Sequence, residues 1–400
     1  MQDRLKIAVF TEFPFPLGLS GTNRLISYSK GLVELGCFVK VFIGQPTEEI
    51  GNIRNKRYYG IYQGIEYSYP FKRTTKSKVK IIKGIDLLFG LIKTLFNIYI
   101  NNFDIKFDAL IIANDNPILV FIVSTYAQMI GIKKRLMFVD EYPEEIRKGG
   151  DKVSFINNLF FKLSFTHLSG IVSMTNLLKD YYVQRYKIRS SLILPMTVEG
   201  HRFQNIKKSI KLEFEYIAYI GNLDIAKDGV DILIRAFSIV SYRYPRLKLL
   251  LCGASKKKYE KDYLRTLVKK LELEGRVIFY GQVDRNDVPE ILCSAKALLL
   301  ARPNSKRAEG GFPTKLGEYL ATGKPVVVTR VGEIPNYLID NYNAFIAEPD
   351  DEYSFAEKIL SILDMPKNAQ KVGERGRQLA LDTFDYKVQS KRLLSYLVKL

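Results

Sequence analysis

Short runs of apolar, largely β-branched residues recur along the chain, separated by longer stretches in which apolar residues return at helical spacing. In the first half the runs are KIAVF (6–10), VKVFI (39–43), ALIIA (109–113), RLMFV (135–139), GIVSM (170–174) and LILP (192–195). Nearly continuous apolar runs predict strands covered on both faces, as in a parallel sheet. Helices are predicted over 22–35, closed by Gly36, and over 117–130, closed by Gly131. Proline in a first turn and glycine after the last are the punctuation such helices need. A polar, basic stretch over 198–215 interrupts this order. The alternation then restarts with YIAYI (216–220), KLLLCG (248–253), VIFYG (277–281), ALLLA (297–301) and PVVVT (325–329). Helices are predicted over 230–242, 259–273, 314–321, 354–363, 369–381 and 386–400. Strand then helix, in two blocks, predicts two doubly wound, Rossmann-like α/β domains over 1–197 and 216–384, with 198–215 as a linker. Ligands bind outside the carboxyl ends of the strands in such folds, so the active site is expected in a cleft between the two sheets.

Composition narrows the class. With 47% hydrophobic and 26% charged residues among 400, the chain is neither disordered nor fibrous. Its three cysteines, Cys37, Cys252 and Cys293, lie far apart beside apolar runs, which excludes a disulfide framework and a cysteine-based zinc site. A reducing, cytoplasmic setting is expected, and the start MQDRLKIAVF has no apolar segment of the kind a signal peptide needs. His167 falls in an apolar helical pattern and His201 in the linker, so both are expected to be structural.

The net charge of +19 favours anionic partners. Residues 51–100 hold ten Lys or Arg against Glu66 and Asp86, which is +8 of the total. Within this region Lys72, Arg73, Lys76, Lys78 and Lys80 precede a helical pattern whose Ile81, Ile85, Leu88, Ile92, Leu95 and Tyr99 share one face. Lys83, Gly90, Lys93 and Asn97 mark the other face. Charges inside the apolar stretch oppose a membrane-spanning helix, since each costs about 2.5–3.5 kcal/mol at mid-bilayer. Two readings stay open: a helix buried against the first sheet by its apolar face, or one lying on an anionic membrane surface through 72–99. Only the second accounts for the basic run.

Candidate chemistry concentrates in ARPNSKRAEGGFPTKLGEYLATGKPVVVT (301–329). A strand end, a loop with adjacent glycines and a helix start near Thr314 would point free backbone N–H groups at one place, an anion site. Gly310 and Gly311 would let the backbone approach a ligand, and Glu318, about a turn into the helix, could accept hydrogen bonds from hydroxyls. An ordinary capped loop has the same sequence requirements.

The segment resembles the nucleotide-sugar site of retaining glycosyltransferases of the GT-B fold, family 4 (glycosyl transferases group 1). Further similarities are YIGNLDIAKDGVDILIRAF (219–237), VIFYGQV (277–283), SGIVSMTNLLKDYY (169–182) with ILPMTVEGHRF (193–203), and LGLSGTNR (17–24). The resemblance covers nearly the whole chain and implies the GT-B architecture. It implies that Glu318 holds the nucleotide ribose, that Lys227 neutralises the donor diphosphate, and that Gly311, Phe312, Pro313 and Thr314 form the turn against sugar or phosphate. Val283 closes the VIFYGQV strand of the same site. The chain also departs from the family. Gly310 aligns with the family's first glutamate and Glu309 sits one residue early, nine before Glu318. Asn222 replaces a usual arginine, which leaves Lys315 and Arg302 as candidates for the second diphosphate cation. VDEYPEEIR (139–147) has Asp140 and Glu141 but no histidine, where many members carry His-Asp. Catalytic roles are thus expected for Lys227, Glu309 and Asp140, with Gly21, Thr22 and Glu141 in the acceptor-side loop.

The resemblance implies transfer of a sugar from a nucleotide diphosphate to an acceptor hydroxyl with retained configuration. No Asp-x-Asp occurs, so no metal and no cofactor is expected. The acceptor such enzymes commonly modify is a glycan or lipid-linked glycan, here in bacterial surface polysaccharide assembly. The last helix, over 385–400, is expected to pack back on the N-terminal domain. A sugar-nucleotide epimerase or a phosphorylase of the same overall fold is an alternative. The charge and the 49 Tyr plus Phe also suggest a nucleic-acid-binding protein. No motif for nucleic acid supports this, and aromatics in apolar runs are explained by core packing.

Overall fold

In the computed structural model, which describes residues 4–206, 210, 212–255 and 257–400, the chain divides into two compact units. The first is Met1–Thr197 with Tyr386–Leu400, and the second is Val198–Asp385.

The first unit runs β1 (Lys6–Thr11), α1 (Ser20–Glu34), β2 (Phe38–Ile43), β3 (Tyr59–Tyr62), β4 (Ile65–Ser68), α2 (Lys80–Ile105), β5 (Ala109–Ala113) and α3 (Pro117–Met129). It continues with β6 (Lys134–Val139), α4 (Glu144–Arg147), α5 (Phe155–His167), β7 (Gly170–Ser173), α6 (Asn176–Arg185) and β8 (Ser191–Ile193). The strands form one sheet in the order β3-β4-β2-β1-β5-β6-β7-β8, parallel except for the β3–β4 hairpin. That hairpin escapes the apolar-run pattern because its strands are short and half polar. Its turn residues Gln63 and Gly64 both have positive φ, 51° and 79°, as a tight two-residue turn requires.

The crossover from β1 to β2 runs opposite to those from β4 to β5, β5 to β6 and β6 to β7. Right-handed connections therefore put α1 on one face of the sheet and α2, α3 and α5 on the other. The core on the α1 face joins Leu25, Tyr28 and Leu32 to Val9, Val41 and Ile111.

Helix α2 is seated in an unusual way. Its buried residues are Asp86, Gly90, Leu91, Thr94 and Ile98, while Ile81, Ile85, Leu88, Ile92 and Tyr99 are exposed and Leu95 is half-buried. Asp86 pairs with Arg73, and the Thr94 hydroxyl donates to the Ile43 carbonyl at 3.1 Å. A Cβ on Gly90 would lie 2.7 Å from the Gly44 carbonyl oxygen, so the helix approaches the end of β2 closely at that point. This corrects the reading in which the apolar face is the buried one: backbone approach and two polar anchors seat the helix, and the apolar face is left outward.

The second unit runs β9 (Tyr216–Ile220), α7 (Ile225–Asp228), α8 (Val230–Arg243), β10 (Lys248–Cys252), α9 (Lys258–Lys270), β11 (Val277–Gly281), α10 (Val288–Ser294) and β12 (Leu298–Leu300). Then follow α11 (Lys306–Gly310), α12 (Thr314–Ala321), β13 (Val326–Thr329), β14 (Phe345–Ala347), α13 (Glu352–Asp364) and α14 (Pro366–Leu379). All six strands are parallel, in the order β11-β10-β9-β12-β13-β14. Residues 198–206, expected in a linker, belong to this unit, and Gly200–Phe203 is a 3-10 turn within it. Positions 207–209 and 211 of the linker lie outside the described residues. The unit's first and last residues meet: Val198 N donates to the Phe384 carbonyl at 2.8 Å, and Val198 forms a parallel bridge with Asp385.

The final helix, α15 (Tyr386–Lys399), is part of the first unit. Its Leu393 and Leu397 are fully buried in the α1-face core, and Leu394 and Leu400 pack against that core. The Tyr386 hydroxyl bonds Glu34 at 2.9 Å, and the Lys134 ammonium bonds the Leu397 carbonyl at 2.7 Å.

Candidate active site

At the carboxyl edge of the second sheet, β9 leads into the short helix α7. Asp224 caps this helix, its carboxylate accepting from Lys227 N at 2.9 Å. Gly229 follows with φ +60°, and a Cβ there would lie 1.8 Å from the Ala301 carbonyl oxygen. Only glycine lets this turn pack against the end of β12.

The turn presents Asp228 to three cations. The Lys315 ammonium stands 2.8 Å from the Asp228 carboxylate and also donates to the Tyr219 hydroxyl at 2.8 Å. That hydroxyl lies 2.9 Å from Asp228 and 2.6 Å from the Asn222 carbonyl. Burial pushes the Asp228 carboxyl up, but Lys315, with Lys227 and Arg302 beyond it, outweighs burial and holds it below the usual carboxylate value. Asp224, in the same turn, is matched by Arg307 at 3.9 Å, so the three cations around Asp228 leave this spot positive. Lys227 is half-buried, and among the described residues its ammonium makes no ion pair or hydrogen bond. Of the three cations it is the one whose side chain is not committed to another group.

The segment after β12 differs from the open glycine loop expected. Ser305 accepts from Ala308 N at 3.2 Å and starts α11, so Gly310 ends a helical turn and is buried. Arg302 is 2% exposed and donates to the Gly311 carbonyl at 2.7 Å and the Arg307 carbonyl at 3.3 Å. Its guanidinium thus shapes the turn from inside, and Lys315 is committed to Asp228. Both expected second cations act on a ligand through charge at most, not as free side chains. The Phe312 ring is buried and stacks on Tyr337 at 5.4 Å, fixing the turn that leads through Pro313 into α12. Helix α12 has no side-chain cap at its N-terminus, where Thr314 and Lys315 begin it. Glu309 pairs with Lys306 at 2.8 Å. Val283 is half-buried and Asn222 exposed.

Glu318, two residues short of a full second turn into α12, pairs with Arg202 at 3.0 Å. Arg202 also donates to the Arg285 carbonyl at 2.6 Å, and Arg285 pairs with Glu199 at 2.9 Å. Arg202 lies within ILPMTVEGHRF with no role assigned by the sequence, and neither Asp228 nor Tyr219 stands out from the sequence alone. The signal available for Arg202 was a cation in a motif already matched to the family.

The remaining expected residues lie at the carboxyl edge of the first sheet. Asp140 follows β6 and pairs with Arg24 at 3.0 Å; Arg24 is buried and donates to the carbonyls of Leu194 and Pro195. Burial raises the Asp140 carboxyl, Arg24 opposes, and Glu141 and Asp115 add to the rise. Glu141 pairs with Arg147, whose other nitrogen holds Asp115 at 2.9 Å. Gly21 and Thr22 stand in the first turn of α1, not in a loop, and the Thr22 hydroxyl donates to the Pro14 carbonyl at 2.7 Å. Glu12, after β1, accepts from Asn114 at 3.0 Å, and burial raises its carboxyl.

Two Rossmann-like units, each built on a largely parallel sheet, are the GT-B class of fold. Sucrose-phosphate synthase from Thermosynechococcus elongatus matches over 99% of both chains with a TM-score of 0.75 at 16% identity. Anabaena HepE in complex with UDP-glucose matches over 99% of this chain and 100% of that one, with a TM-score of 0.73 at 14% identity. Residues 201–379, within the second unit, match the family described as Glycosyl transferases group 1, and in that segment the chain is similar to its members. Among curated relatives, an uncharacterized glycosyltransferase of Methanocaldococcus jannaschii is 27% identical over 57% of this chain and 59% of its own length. Mannosylfructose-phosphate synthase of Agrobacterium fabrum is 26% identical over 66% of this chain and 61% of its own. The chain spans about three-fifths of the length of these two relatives.

Proposed function

We propose that the chain is a glycosyltransferase that moves a sugar from a nucleoside diphosphate to an acceptor hydroxyl with retention of anomeric configuration. The observation that carries this reading is the positive spot at the end of β9, where Lys227, Lys315 and Arg302 surround Asp228 within the segment matching the group 1 family. Departure of the diphosphate builds negative charge on its oxygens. Lys227 and the uncapped N-terminus of α12 offer stabilisation where that charge develops. The solved HepE complex with UDP-glucose supports a nucleotide-sugar donor.

In this reading Glu318 accepts from the ribose hydroxyls, Glu309 and Gly310–Thr314 border the sugar and phosphates, and Asp140 and Glu141 serve the acceptor. Activity without added divalent metal or cofactor is expected, since protein cations take the role of a bridging ion. The acceptor we favour is a lipid-linked glycan in bacterial surface polysaccharide assembly, with the enzyme at the cytoplasmic face of the membrane. No described helix is long and apolar enough to cross a membrane. Residues 72–99, with their basic run and exposed apolar face, would meet an anionic surface.

Thermal stabilisation by UDP-, GDP- and dTDP-sugars, compared with a short oligonucleotide, tests the class, because only ligands of the native state raise the melting temperature. A shift with one nucleotide sugar is expected. A shift with the oligonucleotide alone would overturn the reading, and conversion of the donor to its epimer without an acceptor would point to an epimerase.

A further inference from the structure

The outward apolar surface of the first unit is not confined to α2. Ile81 and Phe103, near the two ends of α2, are 76% and 79% exposed. On α5, Phe155 is 81% and Ile156 60% exposed, with Leu159 exposed one turn later. These two helices flank α3, on the same face of the sheet. The Asn102 amide of α2 donates to the Ile130 carbonyl just beyond α3 at 3.0 Å. Phe121 of α3 lies against Phe160 of α5, with ring centroids 5.5 Å apart. Met129, at the end of α3, is 77% exposed. Exposed apolar side chains on three neighbouring helices of one sheet face are the kind of surface that marks an interaction site.

Charge decides the occupant. Lys83 and Lys93 are exposed on α2 among its apolar side chains, and Lys72 and Lys78 are exposed just before it. Lys152 and Lys162 are exposed before and within α5. Of the two α2 carboxylates, Asp86 is buried and paired with Arg73, and Asp104 is exposed at the far end of the helix beside Phe103, so the exposed charge along the rest of α2 is cationic. A second copy of the chain would bring the same cations face to face, whereas an anionic bilayer meets both the apolar and the cationic groups. The N-terminal turns of α2 and α5 also lie toward the carboxyl edge of the sheet, because the crossover helices run antiparallel to the strands.

We propose that α2, α3 and α5 together form one bilayer-docking face, in which the first turns of α5 insert Phe155, Ile156 and Leu159 into an anionic lipid surface beside α2. The proposal rests on the membrane contact suggested for 72–99 and extends it to a second helix. Its consequence is that the bilayer reaches the sheet edge that carries Asp140, Glu141 and Thr22, so a lipid-borne acceptor arrives along the docked face.

The full chain contains no tryptophan, so one introduced indole is a sole reporter. The probes are phosphatidylcholine vesicles with and without about one-third phosphatidylglycerol. Phe155→Trp should blue-shift and be quenched by brominated lipid only with the anionic vesicles, as should Phe103→Trp. Lys391→Trp, on α15 at the opposite face, should do neither. In co-sedimentation, Phe155→Ser/Ile156→Ser/Leu159→Ser should lower binding about tenfold or more. Nucleotide-sugar thermal shifts should persist in every variant, which separates failure of this proposal from failure of the glycosyltransferase reading. An indole that stays unquenched in Phe155→Trp while that of Phe103→Trp is quenched, or an unchanged α5 triple variant, would leave α2 as the sole contact and overturn the proposal. Concentration-dependent self-association abolished by the triple variant, without lipid binding, would overturn it in favour of a second copy.

Discussion

Arg202 holds Glu318 at 3.0 Å, tying the first turn of the second unit to helix α12. The same guanidinium donates to the Arg285 carbonyl at 2.6 Å, so its position is fixed from two sides. A carboxylate held this way keeps one orientation, with its remaining lone pairs left to accept from a diol.

Glu318→Ala should therefore abolish the nucleotide-dependent thermal shift while the unit still folds. Arg202→Met should weaken nucleotide-sugar affinity about tenfold to a hundredfold, the range expected for a lost charge-assisted contact. Calorimetric titration with the nucleoside diphosphate alone reads both effects. Unchanged affinity in Glu318→Ala would place the ribose elsewhere.

The Asp228–Lys315 pair should behave as a buried unit. Asp228→Asn and Lys315→Met should each cost about 3–5 kcal/mol, because each strands a buried partner, and the double variant should cost less than the sum. Denaturant titration measures the coupling. The pair also sets an acid limit. Because the folded carboxyl lies below its ordinary value, its stabilisation is complete above that value and fades as pH falls through the folded one. In Asp228→Asn the acid unfolding between about pH 5 and pH 2 should be shallower than in the parent.

Lys227→Ala should fold normally, since among the described residues the ammonium makes no ion pair or hydrogen bond, yet lower kcat about a hundredfold to a thousandfold, as loss of an electrostatic donor does. EDTA should leave the parent activity intact. Restoration of a chelated enzyme by magnesium or manganese would show that a metal carries the diphosphate.

Truncation at residue 385 should lower the stability of the first unit and leave the second. Leu393→Ala and Leu397→Ala should each cost about 2–5 kcal/mol, the usual range for a large core side chain. Hydrogen exchange reports which unit responds: loss of protection in β1 and α1 is expected, and loss confined to β9–β14 would contradict the packing of α15.

The strands of both sheets were legible because parallel strands must be apolar on both faces, and runs such as ALIIA and YIAYI have no other use. The β3–β4 hairpin was not, being short and partly polar, and neither was β14, which is apolar but only three residues long. For α2 the apolar periodicity was visible, but its direction was not: Asp86, Gly90 and Thr94 form the seat through a salt bridge, a backbone approach and one hydroxyl bond, none of which leaves an apolar trace. Within the site, Lys227, Glu318 and the helix start at Thr314 could be named from motif position. The commitment of Lys315 to Asp228 and of Arg302 to the Gly311 carbonyl could not, since pairing between segments 9 to 87 residues apart depends on the folded chain.

The meeting of Val198 with Asp385 gives the second unit a common doorway for both of its chain crossings. A segment whose ends adjoin can be cut out and replaced without stretching its host. Residues 198–385 thus form a natural cassette, one that can be exchanged between related genes while the first sheet and its last helix stay as they are.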